Sequence, residues 1–262
     1  MKLSIITINY NNCDGFLRTI ESVIAQTRHD YEWIIIDGGS TDGSKELIEK
    51  YQDHFTYWCS ETDKGIFNAM NKGVAKSNGE YCLFLNSGDF FANEKVVEKS
   101  LPLLNNYDFI SGDTTFLHID GTSEIGRSPR NLTAYTIVRY ALSHQSTFIR
   151  SELLKKRPYR EDLKIASDWE QELYELIFHD ATYTFIPFVI SVFKEDGISR
   201  IDLEGVRLER IKIYDEYFSN RLLMAVLGDN EMKEIVNHIN EESLLYKISL
   251  FVIKMIRKII KY

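Results

Sequence analysis

Residues 33 to 51 read WIIIDGGSTDGSKELIEKY: four large apolar residues, seven small or polar ones, then an amphipathic stretch. The run Trp33 to Ile36 predicts a short strand covered on both faces, because its apolar residues are continuous rather than alternating. Asp37-Gly38-Gly39-Ser40-Thr41-Asp42-Gly43 ends it. Glycine permits the tight turn, and Ser and Asp satisfy the free N–H groups where the next helix, Ser44 to Tyr51, begins. The same order recurs on either side. Leu3 to Ile8 is an apolar run ended by Asn9-Tyr10-Asn11-Asn12, with helical spacing over Phe16 to Gln26 (Leu17, Ile20, Val23, Ile24). Thr56 to Cys59 reads as a strand, Ile66 to Ser77 as a helix, and Tyr81 to Leu85 as a strand ended by Asn86-Ser87-Gly88-Asp89. Such repetition predicts an α/β fold, a mostly parallel sheet flanked by helices and joined by right-handed crossovers. Ligands of these sheets bind beyond the carboxyl ends of the strands. The loops at 9–12, 37–43 and 86–89 are therefore expected at one edge, with Asp37 and Asp89 in a single crevice.

Composition narrows the function. The chain has 262 residues, 44% hydrophobic and 27% charged, the proportions of a globular protein with one large core. Its net charge of −8 argues against a general nucleic-acid binder, so no nucleic-acid partner is expected. Cys13, Cys59 and Cys82 are odd in number and lack CxxC spacing, which suits free thiols in a reducing compartment. The opening MKLSIITINY has no apolar leader pattern, and the expected location is cytoplasmic. DGGSTDG is not GxGxxG and follows the second long strand, and no GxxxxGKS/T occurs, so neither a dinucleotide fingerprint nor a P-loop is present.

Four blocks in this order, NYN after the first strand, YEWIIIDGGSTDGS, DKGIFNAMNKG and NGEYCLFLNSGD, resemble the family-two inverting glycosyltransferases of GT-A fold, in particular those of cell-surface polysaccharide synthesis. The resemblance is strongest over residues 1 to about 90, extends to about 200 and does not reach the C-terminal tail. It implies transfer of a sugar from a nucleotide-diphosphate donor, a UDP-sugar by expectation, to a hydroxyl of a glycan or lipid-linked acceptor. It places Asn9, Tyr10, Asp37, Asp63, Lys64, Asn71 and Lys72 at the donor. Asp37-Gly38 stands where many relatives carry paired acids. A DxD-type metal signature is implied at the end of the Tyr81–Leu85 strand, but Asn86 and Gly88 replace acids and only Asp89 remains. Mg²⁺ or Mn²⁺ would then be held by Asp89, with phosphates and water as the other ligands. Asp168, in Ala166-Ser167-Asp168-Trp169-Glu170, matches the family's acidic motif and is the implied general base, which an inverting displacement needs on the face opposite the leaving group. His144, in His144-Gln145-Ser146, is implied near the acceptor or the diphosphate, and Arg200, after the Gly197-Ile198-Ser199 loop that closes over the donor, is implied to pair with phosphate. The processive signature QxxRW is absent, which favours single addition.

The competing reading is a non-catalytic sugar-nucleotide-binding or scaffolding protein, suggested by the two missing acids; it predicts a dispensable Asp168. The expected domains are a transferase domain over 1–227 and a helical extension over 228–262. From Leu244 to Tyr262 there are five basic residues and no acid, leaving −13 on the rest of the chain. Apolar residues recur there at three- and four-residue spacing, which predicts a basic amphipathic helix lying on an anionic surface, the inner face of a membrane.

Overall fold

Strand β1 (Leu3–Asn9) is buried along its whole length and lies between β2 (Tyr31–Asp37) and β4 (Tyr81–Phe84), parallel to both. β3 (Tyr57–Ser60) adds to β2, again parallel. The computed structural model describes residues 1–194 and 202–219 together with Leu222, Leu223 and Val226. Its compact unit Met1–Glu209 holds the sheet described here.

Strands buried on both faces suit the parallel pairing of this half. In β1 and β2, Leu3, Ile5, Trp33 and Ile35 point to one face, where Phe16, Ile20 and Val23 of α1 (Cys13–Ile24) cover them. The intervening residues Ile6 and Ile36 meet α3 (Ile66–Lys76) so closely that a Cβ at Gly73 would stand 2.4 Å from Ile6. With both faces covered, no alternation survives in the sequence. The lower edge is locked by Glu32, 2% exposed, which accepts from the Ser4 hydroxyl at 2.5 Å and the Gly79 N–H at 2.8 Å. Gly79 lies against the β1 backbone, and a Cβ there would come within 2.6 Å of the Ser4 nitrogen.

Beyond β4 the sheet is mixed. Its order is β3-β2-β1-β4-β8-β6-β9-β5, with β7 (Ser123–Gly126) paired to β6. β8 (Thr147–Arg150) runs antiparallel to β4 and to β6 (Phe109–Leu117), whereas β6 and β9 (Tyr183–Lys194) are parallel. The two-residue β5 (Phe90–Phe91) closes the far edge against β9. Shorter helices follow the strands: α2 (Ser44–Tyr51), α4 (Val96–Ser100), α5 (Ala134–Arg139), α6 (Ser151–Lys156) and α7 (Ser167–Leu173), then the longer α8 (Leu203–Tyr217).

The α/β architecture read from the first ninety residues is the one observed, and α2 has the expected bounds. α1 begins three residues early, because the Asn12 side chain accepts from the Gly15 N–H and caps it there. The expected extension 228–262, its helix 244–262, and Arg200 lie outside the described residues.

Candidate active site

The carboxyl ends of β1, β2 and β4 open on a cleft of about 640 Å³. Its wall includes Asn9, Tyr10, Asp63, Asn86, Asp89 and His144, which come from four separate stretches of chain. The strand-end loops therefore share one edge, as their positions in the sequence imply.

One end of the cleft is a slot. A Cβ at Gly38 would stand 3.0 Å from the Tyr10 ring and 3.3 Å from an Asp63 carboxylate oxygen. A bare backbone at Gly38 is what keeps the space between them open. Tyr10 is 68% exposed and offers a ring face, and the Asp63 carboxylate offers a fixed acceptor. Asp63 is held by Lys72 Nζ at 2.5 Å, and Lys72 also reaches Glu61 at 2.7 Å. Hydrogen bonds to Asp63 first and Glu61 second hold the Lys72 ammonium well above its ordinary range, so it remains charged. Such a slot suits a flat heterocycle with an N–H to donate.

Three residues expected to touch a donor support the cleft from behind. Asp37 is fully buried, and both its oxygens are engaged: Oδ1 by Asn9 Nδ2 (2.7 Å) and Ser40 Oγ (2.6 Å), Oδ2 by Ser60 Oγ (2.6 Å) and the Ser40 N–H (2.9 Å). Burial alone would raise its pKa, but the Ser40 and Ser60 hydroxyls with the Ser40 and Asn9 N–H groups hold it below the usual carboxylate range. Asp37 thus fixes the Gly38–Ser40 loop from beneath the cleft floor. Asn71 clamps residue 159, donating to the Tyr159 carbonyl and accepting its N–H, both at 2.9 Å. Lys72 is committed to Asp63 and Glu61. Lys64 is exposed at the start of α3, where its N–H is bonded by Asn68.

The other end carries the carboxylates. Residues 86–89 form a turn in which the Asp89 N–H donates to the Asn86 carbonyl at 2.9 Å and Gly88 adopts φ +105°, a conformation open to glycine. Thr19 of α1 fixes this turn, accepting the Gly88 N–H at 3.0 Å and donating to the Asp89 carbonyl at 2.7 Å. The backbone at 88 therefore favours glycine, at a position where the resemblance led one to expect an acid. Asp89 is 6% exposed. Behind it His144, just ahead of β8, joins two elements: Nδ1 lies 3.2 Å from Asp168 Oδ2 and Nε2 lies 3.2 Å from Asn86 Nδ2. A carboxylate only accepts, so Nδ1 carries the proton and Nε2 accepts from the amide. Burial would lower the His144 pKa, but the hydrogen bond and charge of Asp168, then the charge of Asp89, raise it overall. Asp168, on the first turn of α7, is 19% exposed and stands behind His144 rather than in the wall proper.

The cleft wall also offers oxygen donors to a hard divalent cation. Asn86 Oδ1 is buried and has no hydrogen-bond partner among the described residues. With Asp89 it supplies two oxygen donors in the same wall, which suits Mg²⁺ or Mn²⁺ when phosphate and water complete the shell. No group of three or more His, Cys, Asp or Glu side chains converges among the described residues, so the protein's share of such a site is small. Phe193 and Lys194, at the end of β9, also line the cleft. Nothing in the first ninety residues marks them, because only the long-range pairing of β9 with β6 brings them there.

Residues 4–165 match the model of glycosyl transferase family 2. An uncharacterized glycosyltransferase of Mycobacterium tuberculosis is 35% identical over 175 residues, covering 64% of this chain and 66% of that protein. TuaG of Bacillus subtilis, whose name refers to teichuronic acid biosynthesis, is 34% identical over 107 residues, covering 39% of this chain and 41% of its own length. These alignments span less than two thirds of either relative. Among solved structures, TarS of S. aureus (residues 1–349, in complex with UDP) superposes with a TM-score of 0.62 at 18% identity, over 90% of this chain and 78% of that one. The mannosyltransferase PcManGT of Pyrobaculum calidifontis, with GDP-Man and Mn²⁺, gives 0.66 at 12% identity over 97% and 80%. At these identities the superpositions establish a common fold of GT-A type.

Proposed function

The chain belongs to glycosyl transferase family 2, and from that premise we propose that it transfers a sugar from a UDP-sugar to a hydroxyl of a glycan or lipid-linked acceptor in surface polysaccharide synthesis, with inversion at the anomeric carbon. One observation carries this reading: the Tyr10–Gly38–Asp63 slot, the Asp89 turn and His144, with Asp168 directly behind it, meet at a single cleft. UDP in the TarS structure and the teichuronic acid reference in the name of TuaG favour the donor and the acceptor class.

The nucleobase would lie against Tyr10 and donate to Asp63. The diphosphate would extend toward Asp89 and Lys194. A divalent cation held by Asp89 and Asn86 would offset charge on the departing diphosphate. The acceptor hydroxyl attacks the anomeric carbon from the side away from the diphosphate. Its oxygen–carbon bond forms as the bond to phosphate oxygen breaks, and its proton passes to the Asp168 carboxylate. His144, donating from Nδ1, keeps that carboxylate oriented. The family match ends three residues before Asp168, so the base assignment rests on this geometry and on the motif.

No helix among the described residues is long and apolar enough to cross a membrane. Approach to a lipid-linked acceptor at the inner membrane face would rest on the basic stretch 244–262. The reading is tested by incubating the purified protein with a panel of UDP-, GDP- and dTDP-sugars and Mn²⁺ while following nucleoside diphosphate release. Release from one or two UDP-sugars, abolished by chelation, is expected. Release confined to GDP-sugars would remove the UDP assignment.

A further inference from the structure

The helix that carries Asp168 begins without a side-chain cap: Ala166 is its N-cap residue, at φ −111° and ψ 17°. The three N–H groups leading into it are nevertheless satisfied, and by one side chain. Glu209 of α8 accepts from the Lys164 N–H at 2.6 Å through Oε1, and from the Ile165 and Ala166 N–H groups at 2.9 Å each through Oε2. Three successive amides thus converge on one carboxylate, and each hydrogen bond is strengthened by its charge.

The body of α7 is held elsewhere. Arg157 binds the fully buried Glu170 through both carboxylate oxygens, and the Trp169 indole N–H donates to the Ile137 carbonyl at 2.7 Å. Those anchors fix the far face of the helix. The direction in which Asp168 leaves it depends on the backbone at 164–166, two to four residues upstream, whose three N–H groups Glu209 holds. We propose that Glu209 is a positioning residue for the transfer reaction, holding the 164–166 backbone so that Asp168 meets His144 and the acceptor hydroxyl. The inference rests on the reading of Asp168 as the base.

The chemistry of the nest makes the role testable. A glutamine at 209 has one acceptor oxygen, and its NH₂ group would face N–H donors on the other side. At least one of the three amides would lose its partner, and the approach to α7 would shift. Misplacing a catalytic group by about 1 Å costs on the order of 10²-fold in rate. Aspartate keeps both oxygens on a shorter arm.

The test compares Glu209→Gln, Glu209→Asp, Asp168→Asn and the Glu209→Gln/Asp168→Asn double variant in the full chain. Rates are taken from hydrolysis of whichever sugar nucleotide in the panel turns over fastest. Binding is taken from calorimetry with UDP and Mn²⁺. Glu209→Gln should lower kcat about 10- to 100-fold with UDP affinity and KM within about twofold of the parent. Glu209→Asp should recover part of the loss, and the double variant should be no slower than Asp168→Asn. A parental kcat for Glu209→Gln, a loss of UDP binding in step with kcat, or multiplied losses in the double variant would overturn the inference. If Glu209→Gln does not fold, Glu209→Asp decides by the same split. Failure of both to fold would make Glu209 a stability residue and refute the role. A parental rate for Asp168→Asn would instead refute the base assignment itself.

Discussion

Asp168→Asn should lose between about 10² and 10⁴ of the transfer rate, the usual worth of a positioned general base, while binding UDP as the parent does. The two effects separate because Asp168 stands behind His144, away from the Tyr10–Gly38–Asp63 slot. The variant should fold, since an asparagine oxygen can still accept the Trp169 N–H that Oδ1 now takes at 2.8 Å. A pH signature accompanies the rate loss. Burial lowers the His144 pKa, and the hydrogen bond and charge of Asp168, aided by Asp89, more than reverse that effect. A folded-state pKa above the unfolded value of about 6.5 adds stability below that pH, and the gain fades as pH rises through the folded value. Removing the Asp168 charge leaves only the charge of Asp89 to oppose burial. Thermal unfolding should therefore place the variant further below the parent at pH 5 than at pH 8. An equal gap at both values would mean that His144 is not coupled to Asp168, and a parental transfer rate would leave the family reaction without this base.

Asp89→Ala should abolish the enhancement of UDP binding by Mn²⁺. Groups that merely orient a metal's ligands are worth roughly 10- to 100-fold in affinity, so loss of the proposed carboxylate ligand should cost at least as much. The fold should survive, because the turn at 86–89 is held through the Asp89 backbone and Thr19. Calorimetry of UDP with and without Mn²⁺, on parent and variant, measures the difference. Equal enhancement in both proteins would return the stretch Asn86 to Asp89 to a structural turn.

What the sequence made legible follows from range. The parallel half of the sheet is written in local patterns: apolar runs that stop at Asn9, Asp37 and Asn86, the first two followed by turn residues and a helix. The mixed half depends on β6 pairing with three different strands, information spread between residues 109 and 194 that no short window contains. The site divides in the same way. Residue type and place at a strand end bring Asn9, Tyr10, Asp63 and Asp89 to one cleft, but they do not reveal which atoms are already taken. Asp37 has every look of a ligand-facing acid until Ser40, Ser60 and Asn9 are seen around it. Lys72 has the spacing of a phosphate-binding lysine, yet Asp63 and Glu61 hold it. Glu209 has no motif at all. It lies 41 positions beyond Asp168, and only the placement of α8 brings it to the start of α7.

The most direct measurement is the configuration of the sugar first released from the active UDP-sugar, followed by proton NMR during slow hydrolysis before the free sugar equilibrates. Attack from the face opposite the diphosphate requires that an α-linked donor give the β-anomer first, and the Asp168 geometry predicts that result. Initial appearance of the α-anomer would mean that the displacement is not a single inversion, and would contradict the assignment of Asp168 as its base.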